Sequence, residues 1–75
     1  MKSQPKIRRI ACHEILLPDG QSLRRSVVEI RLGRVIRYYP LLEEQAQTEW
    51  WSGSIRLSLQ DDGSLKAYYN GEEIE

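Results

Sequence analysis

Hydrophobic and polar residues alternate along most of this chain with a period of two, the signature of half-buried strands. The stretch that organises the rest is 22–40, SLRRSVVEIRLGRVIRYYP. In it Val28, Ile30 and Leu32 share one face of a strand, and Val27, Glu29 and Arg31 share the other, which reads as the solvated one. Gly33 permits a sharp reversal. The returning strand, 34–39, sets Ile36 and Tyr38 opposite Val35, Arg37 and Tyr39. Pro40 closes it, since proline cannot donate to a ladder.

The other segments read as partners of this hairpin. Residues 6–17 form a first strand in which neither side is cleanly apolar. A bulge near Ala11–His13 would shift the phase by one and gather Ile10, Cys12, Ile15 and Leu17. Pro18-Asp19-Gly20 is a turn. Residues 54–60 alternate most regularly, with Ile55, Leu57 and Leu59 inward, and Asp61-Asp62-Gly63 reverses the chain. In 64–69, Leu65, Ala67 and Tyr69 point inward, and Asn70-Gly71 is a type I′ turn signal. Between the strands, LLEEQAQTEWW (41–51) carries helix formers behind Pro40 and reads as a short helix or an ordered loop.

These elements predict a mostly β fold: a five-stranded antiparallel meander curled into a small sandwich or partial barrel, with one short helix or loop at about 41–51. One domain covers 6–71, with a disordered N-terminus at 1–5 and a stub at 72–75. The expected core is Ile10, Ile15, Val28, Ile30, Ile36, Trp50 or Trp51, Ile55, Leu57, Leu59, Leu65 and Tyr69. Seventy-five residues bury only about 60–65% of the unfolded chain's surface, so added partner surface matters to stability.

Charge changes the picture by its distribution. The formal net charge is zero, but nine basic residues face three acidic ones through Pro40, and two face eight after it. The basic residues alternate with apolar ones inside strands instead of forming a block, so the two halves are expected to neutralise each other by packing. One cysteine, no apolar run near the length of a membrane span and no leader-like segment point to a cytoplasmic protein away from the membrane.

Candidate chemistry is sparse. Cys12 and His13 are the only nucleophile–base pair, and neighbours on a regular strand point to opposite faces. One His and one Cys cannot supply a zinc site, and the acids Asp61, Asp62, Glu72 and Glu73 lack calcium-loop spacing. The five glycines fall one per turn and cradle no phosphate. No catalytic, metal or cofactor residue is assigned, and an enzyme is the least favoured class. The candidate binding surface is Arg24, Arg25, Arg31, Arg34, Arg37, Tyr38 and Tyr39. Arginines and aromatics are enriched at protein interfaces, so a non-enzymatic interaction module, acting through its sheet face or as a homodimer, is the leading expectation. The same residue types on a sheet grip single-stranded nucleic acid, which is the alternative through the basic hairpin 24–39.

One resemblance adds a third expectation. Ala11, Glu14-Ile15, Asp19-Gly20, Val28-Glu29-Ile30, Gly33-Arg34-Val35-Ile36 and the segment 49–53 follow one another in an order similar to the beginning of amidohydrolase-superfamily enzymes. Those enzymes open with a small β-sandwich ahead of a metal-binding barrel. The resemblance implies an accessory sandwich module with Ala11, Ile15 and Ile30 between two sheets. The family's His-x-His motif is missing, because Ser54-Ile55-Arg56-Leu57-Ser58-Leu59 stands where it would follow. No catalytic residue carries over.

Overall fold

Alternation of this kind folds into sheet, and the computed structural model, which describes residues 6–43 and 48–75, contains six strands: β1 (Arg8–Leu16), β2 (Ser22–Arg31), β3 (Arg34–Pro40), β4 (Thr48–Leu59), β5 (Leu65–Tyr69) and β6 (Glu72–Glu73). They form one curled sheet, a half-barrel, in the order β3-β2-β1-β4-β5-β6. Of the expected small sandwich or partial barrel, mostly β, the structure holds the partial barrel, with two corrections. The strands number six, and β1 pairs with β4 in parallel, so the sheet is mixed and not a meander. A parallel pair needs a crossover, and here β3 and β4, consecutive in the chain, lie on opposite sides of β2 and β1. The described residues hold no helix: Leu41–Glu43 are irregular, Thr48–Trp51 already belong to β4, and 44–47 lie outside the description. The expected disorder at 1–5 also falls outside it.

The curl brings β3 against β5, and its inner face holds the core. Ile10, Cys12, Ile15, Val28, Ile30, Ile55, Leu57, Ala67 and Ile74 form it, with Leu17, Leu23, Val35, Trp51, Leu65 and Tyr69 packed around them. Trp51 is thus the inward tryptophan. Its indole meets Tyr69 edge-on at 4.8 Å, and the Arg8 guanidinium lies over its ring at 5.5 Å. The terminal stub is structural: β6 pairs with β5, and the backbone N–H of Ile74 donates to the Ala67 carbonyl at 2.8 Å, which sets Ile74 into the core.

Two expected core residues lie outside. Ile36, 40% exposed, is the extra residue of a bulge on the edge strand, between Val35 opposite Ile30 and Arg37 opposite Glu29. Leu59, 62% exposed, pairs with Leu65 in the last rung before the β4–β5 turn, beyond the covered part of the sheet. The opposite error concerns β2. Its second face was expected in solvent, yet all of Ser26–Ile30 is buried, Val27 and Glu29 included. A central strand covered on both faces does not alternate in burial.

Candidate functional site

The ladder slips phase along one line across the sheet. In β1 the inward residues Cys12 and Ile15 are separated by two residues, His13 and Glu14. In β2 the inward residues Leu23 and Ser26 are separated by Arg24 and Arg25. β4 absorbs the same slip with one extra residue near Gly53, whose φ is +100°. Arg25 takes φ +46°, a left-handed conformation that the clash of Cβ with the following carbonyl oxygen disfavours for most residues other than glycine and asparagine. Within each strand a side chain bridges the slip: the Cys12 thiol donates to the Glu14 carbonyl at 3.1 Å, and the Ser26 hydroxyl to the Arg24 carbonyl at 3.0 Å. The Leu41 N–H donates to the Arg25 carbonyl at 2.9 Å. This is a built feature, and its product is a block of four polar side chains on the outer face, two from each strand.

His13, Glu14, Arg24 and Arg25 line a shallow depression of about 400 Å³ there. Glu14 lies opposite Arg24 in the ladder and accepts from the Ser54 hydroxyl at 3.3 Å. His13 meets the ring of Trp50 edge-on, with centroids 5.0 Å apart. Trp50 remains 49% exposed.

A second surface lies at the turn end of the barrel. Leu32 and Gly33 make the β2–β3 turn with φ values of +53° and +76°. Asn70 and Gly71 repeat this geometry at +53° and +84°, with the asparagine such a turn favours. Leucine at the equivalent position is out of keeping with the backbone, and it is 78% exposed. Beside it Leu59, Arg34, Asp61, Asp62 and Lys66 line an open groove of about 630 Å³. Arg34 approaches Asp62 at 3.7 Å. Hydrogen bonds from the Ser64 hydroxyl and N–H hold the exposed Asp62 carboxyl below its ordinary pKa.

The residues expected as one binding surface are therefore divided among three places. Arg24 and Arg25 belong to the outer block. Arg31 and Arg34 face each other across the hairpin tip. Arg37 and Tyr39 serve Glu29, which is 3% exposed: Arg37 Nε donates at 2.7 Å, Arg9 Nε at 3.0 Å and the Tyr39 hydroxyl at 2.5 Å. Burial alone would raise the Glu29 pKa, but these three donors together outweigh it and hold the carboxyl below its ordinary value. Tyr38 lies opposite Val28 on the inner side, partly open to solvent. His13, Glu14, Trp50, Leu32 and Leu59 were not singled out as binding residues. Two adjacent doublets, His13-Glu14 and Arg24-Arg25, each break the alternation of their strand, and that double break was the available signal.

Cys12 and His13 do not meet as a dyad. The thiol is fully buried on the inner side, and burial pushes its pKa up, whereas His13 stands outside against Trp50. Among the described residues no three His, Cys, Asp or Glu side chains come together as metal ligands, and no helix is long and apolar enough to cross a membrane. No family model, curated protein or solved structure matches the chain.

Proposed function

We propose that this protein is a non-enzymatic interaction module that self-associates through the turn end of its half-barrel. The observation that carries this reading is Leu32: an exposed leucine in a left-handed turn position, where local energetics favour asparagine or glycine. A side chain that is unfavourable in the isolated fold gains its value where a partner buries it.

A second copy fits this surface. Leu32 and Leu59 supply an apolar centre. Arg31 stands on the hairpin side and Asp61 on the β4–β5 turn, both exposed and neither in an ion pair within the described residues. A two-fold contact sets Arg31 of one copy against Asp61 of the other and relieves the like-charge Arg31–Arg34 rung. Pairing through the β3 edge is less suited, because the Ile36 bulge, Arg37 and Pro40 all blunt it.

Sedimentation velocity over rising concentration tests the proposal. The unmodified chain should shift toward a dimer, and Leu32→Asn should remain monomeric. A chain that stays monomeric to millimolar concentration refutes self-association.

A further inference from the structure

We infer that the outer-face block of His13, Glu14, Arg24 and Arg25, with Trp50 beside it, is a site for single-stranded nucleic acid, taking one nucleotide with its phosphate between the arginines and its base on the indole. The inference is independent of the turn-end contact and rests on three observations.

The first is the accounting of cations. Arg8, Arg9, Arg34, Arg37 and Lys66 each have a carboxylate within ion-pair distance, and Arg56 lies on the ring of Tyr68 at 5.1 Å. Arg24, Arg25, Arg31 and Lys6 have neither within the described residues, and of these only Arg24 and Arg25 line one depression together, with Glu14 the direct cross-strand neighbour of Arg24. Two guanidinium groups on one face, neither held in an ion pair, are a ready receptor for a phosphate, because each offers several donors in a fixed plane.

The second is conformation. In a regular strand Arg24 and Arg25 would point to opposite faces. The left-handed φ of Arg25 and the phase slip turn both outward, onto the side where His13 and Trp50 already lie. Left-handed backbone at a residue other than glycine clusters at functional sites.

The third is the aromatic wall. The edge contact with His13 fixes the orientation of Trp50 and leaves half of its surface in solvent. Stacking on such a ring is open to every base, and phosphate neutralisation supplies the rest of the affinity. Glu14 uses Oε1 for the Ser54 hydroxyl and retains Oε2 as an acceptor. An acceptor there favours bases that carry an exocyclic amine, cytosine above thymine.

The test is an amide-shift titration of labelled Leu32→Asn protein, which removes the turn-end association, with single strands of about eight nucleotides. At low salt, oligocytidylate should shift the amides of His13, Glu14, Arg24 and Arg25 and the Trp50 indole N–H, and added salt should reverse this. Arg25→Gly keeps the backbone, since glycine accepts φ +46°. It should weaken binding on the order of tenfold and lower the salt slope by about one. Glu14→Ala, which removes the acceptor, should abolish the preference for cytosine, and a preference that survives it overturns that role of Glu14. Absence of shifts at low salt, shifts centred on Arg31 and Arg34 instead, or binding unchanged in Arg25→Gly overturns the site. A mononucleotide bound as tightly as the strand overturns the strand as ligand in favour of a free nucleotide.

Discussion

Leu32→Asn should make the isolated fold more stable. A left-handed backbone costs an ordinary L-residue about 1–2 kcal/mol, and asparagine tolerates it better than leucine. Leu32 adopts φ +53° in that region. Relief of the backbone term is thus worth about 1 kcal/mol. Against it stands the burial that the leucine loses. Its surface is 78% exposed, so only about a fifth of the 1.5–3 kcal/mol of full burial is at stake, roughly 0.3–0.6 kcal/mol. The balance favours asparagine by about 0.5 kcal/mol.

Urea unfolding followed by tryptophan emission reads this difference. With a slope of about 1 kcal/mol per molar for so small a chain, the midpoint should rise by about 0.5 M at micromolar protein. The order should then invert as concentration rises. A dimer stabilises its folded protomers by mass action, so the unmodified protein gains stability with concentration and Leu32→Asn does not. A crossing of the two midpoints is the expected signature. A midpoint lower in Leu32→Asn at the lowest concentration refutes the reasoning, because the leucine would then be earning its place within the monomer.

Glu29→Gln should lower stability by about 1.5–3 kcal/mol near neutral pH, since charge-assisted bonds from Arg9, Arg37 and Tyr39 are weakened together. The folded pKa of Glu29 is depressed, so its contribution is complete above the unfolded value of about 4.3 and is lost as pH falls through the folded one. Thermal melts from pH 6 to pH 2 should therefore show a shallower acid limb in Glu29→Gln. The limb should not be flat, because the bond from Arg8 holds Glu49 below its ordinary value too. Ile74→Ala, which deletes most of a buried side chain near the end of the sequence, should cost about 2–4 kcal/mol and lower the melting temperature by roughly 10 °C or more.

Legibility in the sequence tracked how local each determinant is. Asp61-Asp62-Gly63 and Asn70-Gly71 announce their reversals because turn chemistry is set within four residues. The phase slip in β1 was legible from the misfit of Ile10, Cys12, Ile15 and Leu17 to one regular face, and those residues do meet inside. Its counterpart in β2 escaped: the Arg24-Arg25 doublet breaks the alternation, but Ser26 is not apolar and does not mark which face turns inward when no neighbour is known. The parallel β1–β4 pair escaped for a similar reason: strand order depends on contacts 40 residues apart, as between Glu14 and Ser54. Burial of Glu29 depended on Arg9 arriving from one neighbouring strand and Arg37 from the other. Sequence proximity assembled the candidate surface from Arg24 to Tyr39. The sheet divided it, because a strand, a hairpin tip and two faces lie within that stretch.

The two strained positions are both consequences of β2. Its segment Ser26–Ile30 is buried on both faces, hydrogen-bonded to β1 and β3, and braced by the bonds to Glu29. Such a segment over-determines its own conformation, and strain of a kilocalorie or so persists only beside something that rigid. Arg25 lies immediately before the segment and Leu32 two residues after it. The outer block and the turn end are therefore two ends of one clamped strand. Loosening the clamp should release both, whereas a substitution at either end should leave the other intact. Glu29→Gln separates these cases. If Leu32→Asn and Arg25→Gly each act alone while Glu29→Gln weakens self-association and oligonucleotide binding together, the clamped strand is the common support of both surfaces. If Glu29→Gln lowers stability but leaves both contacts unchanged, each end holds its own geometry and the coupling is refuted.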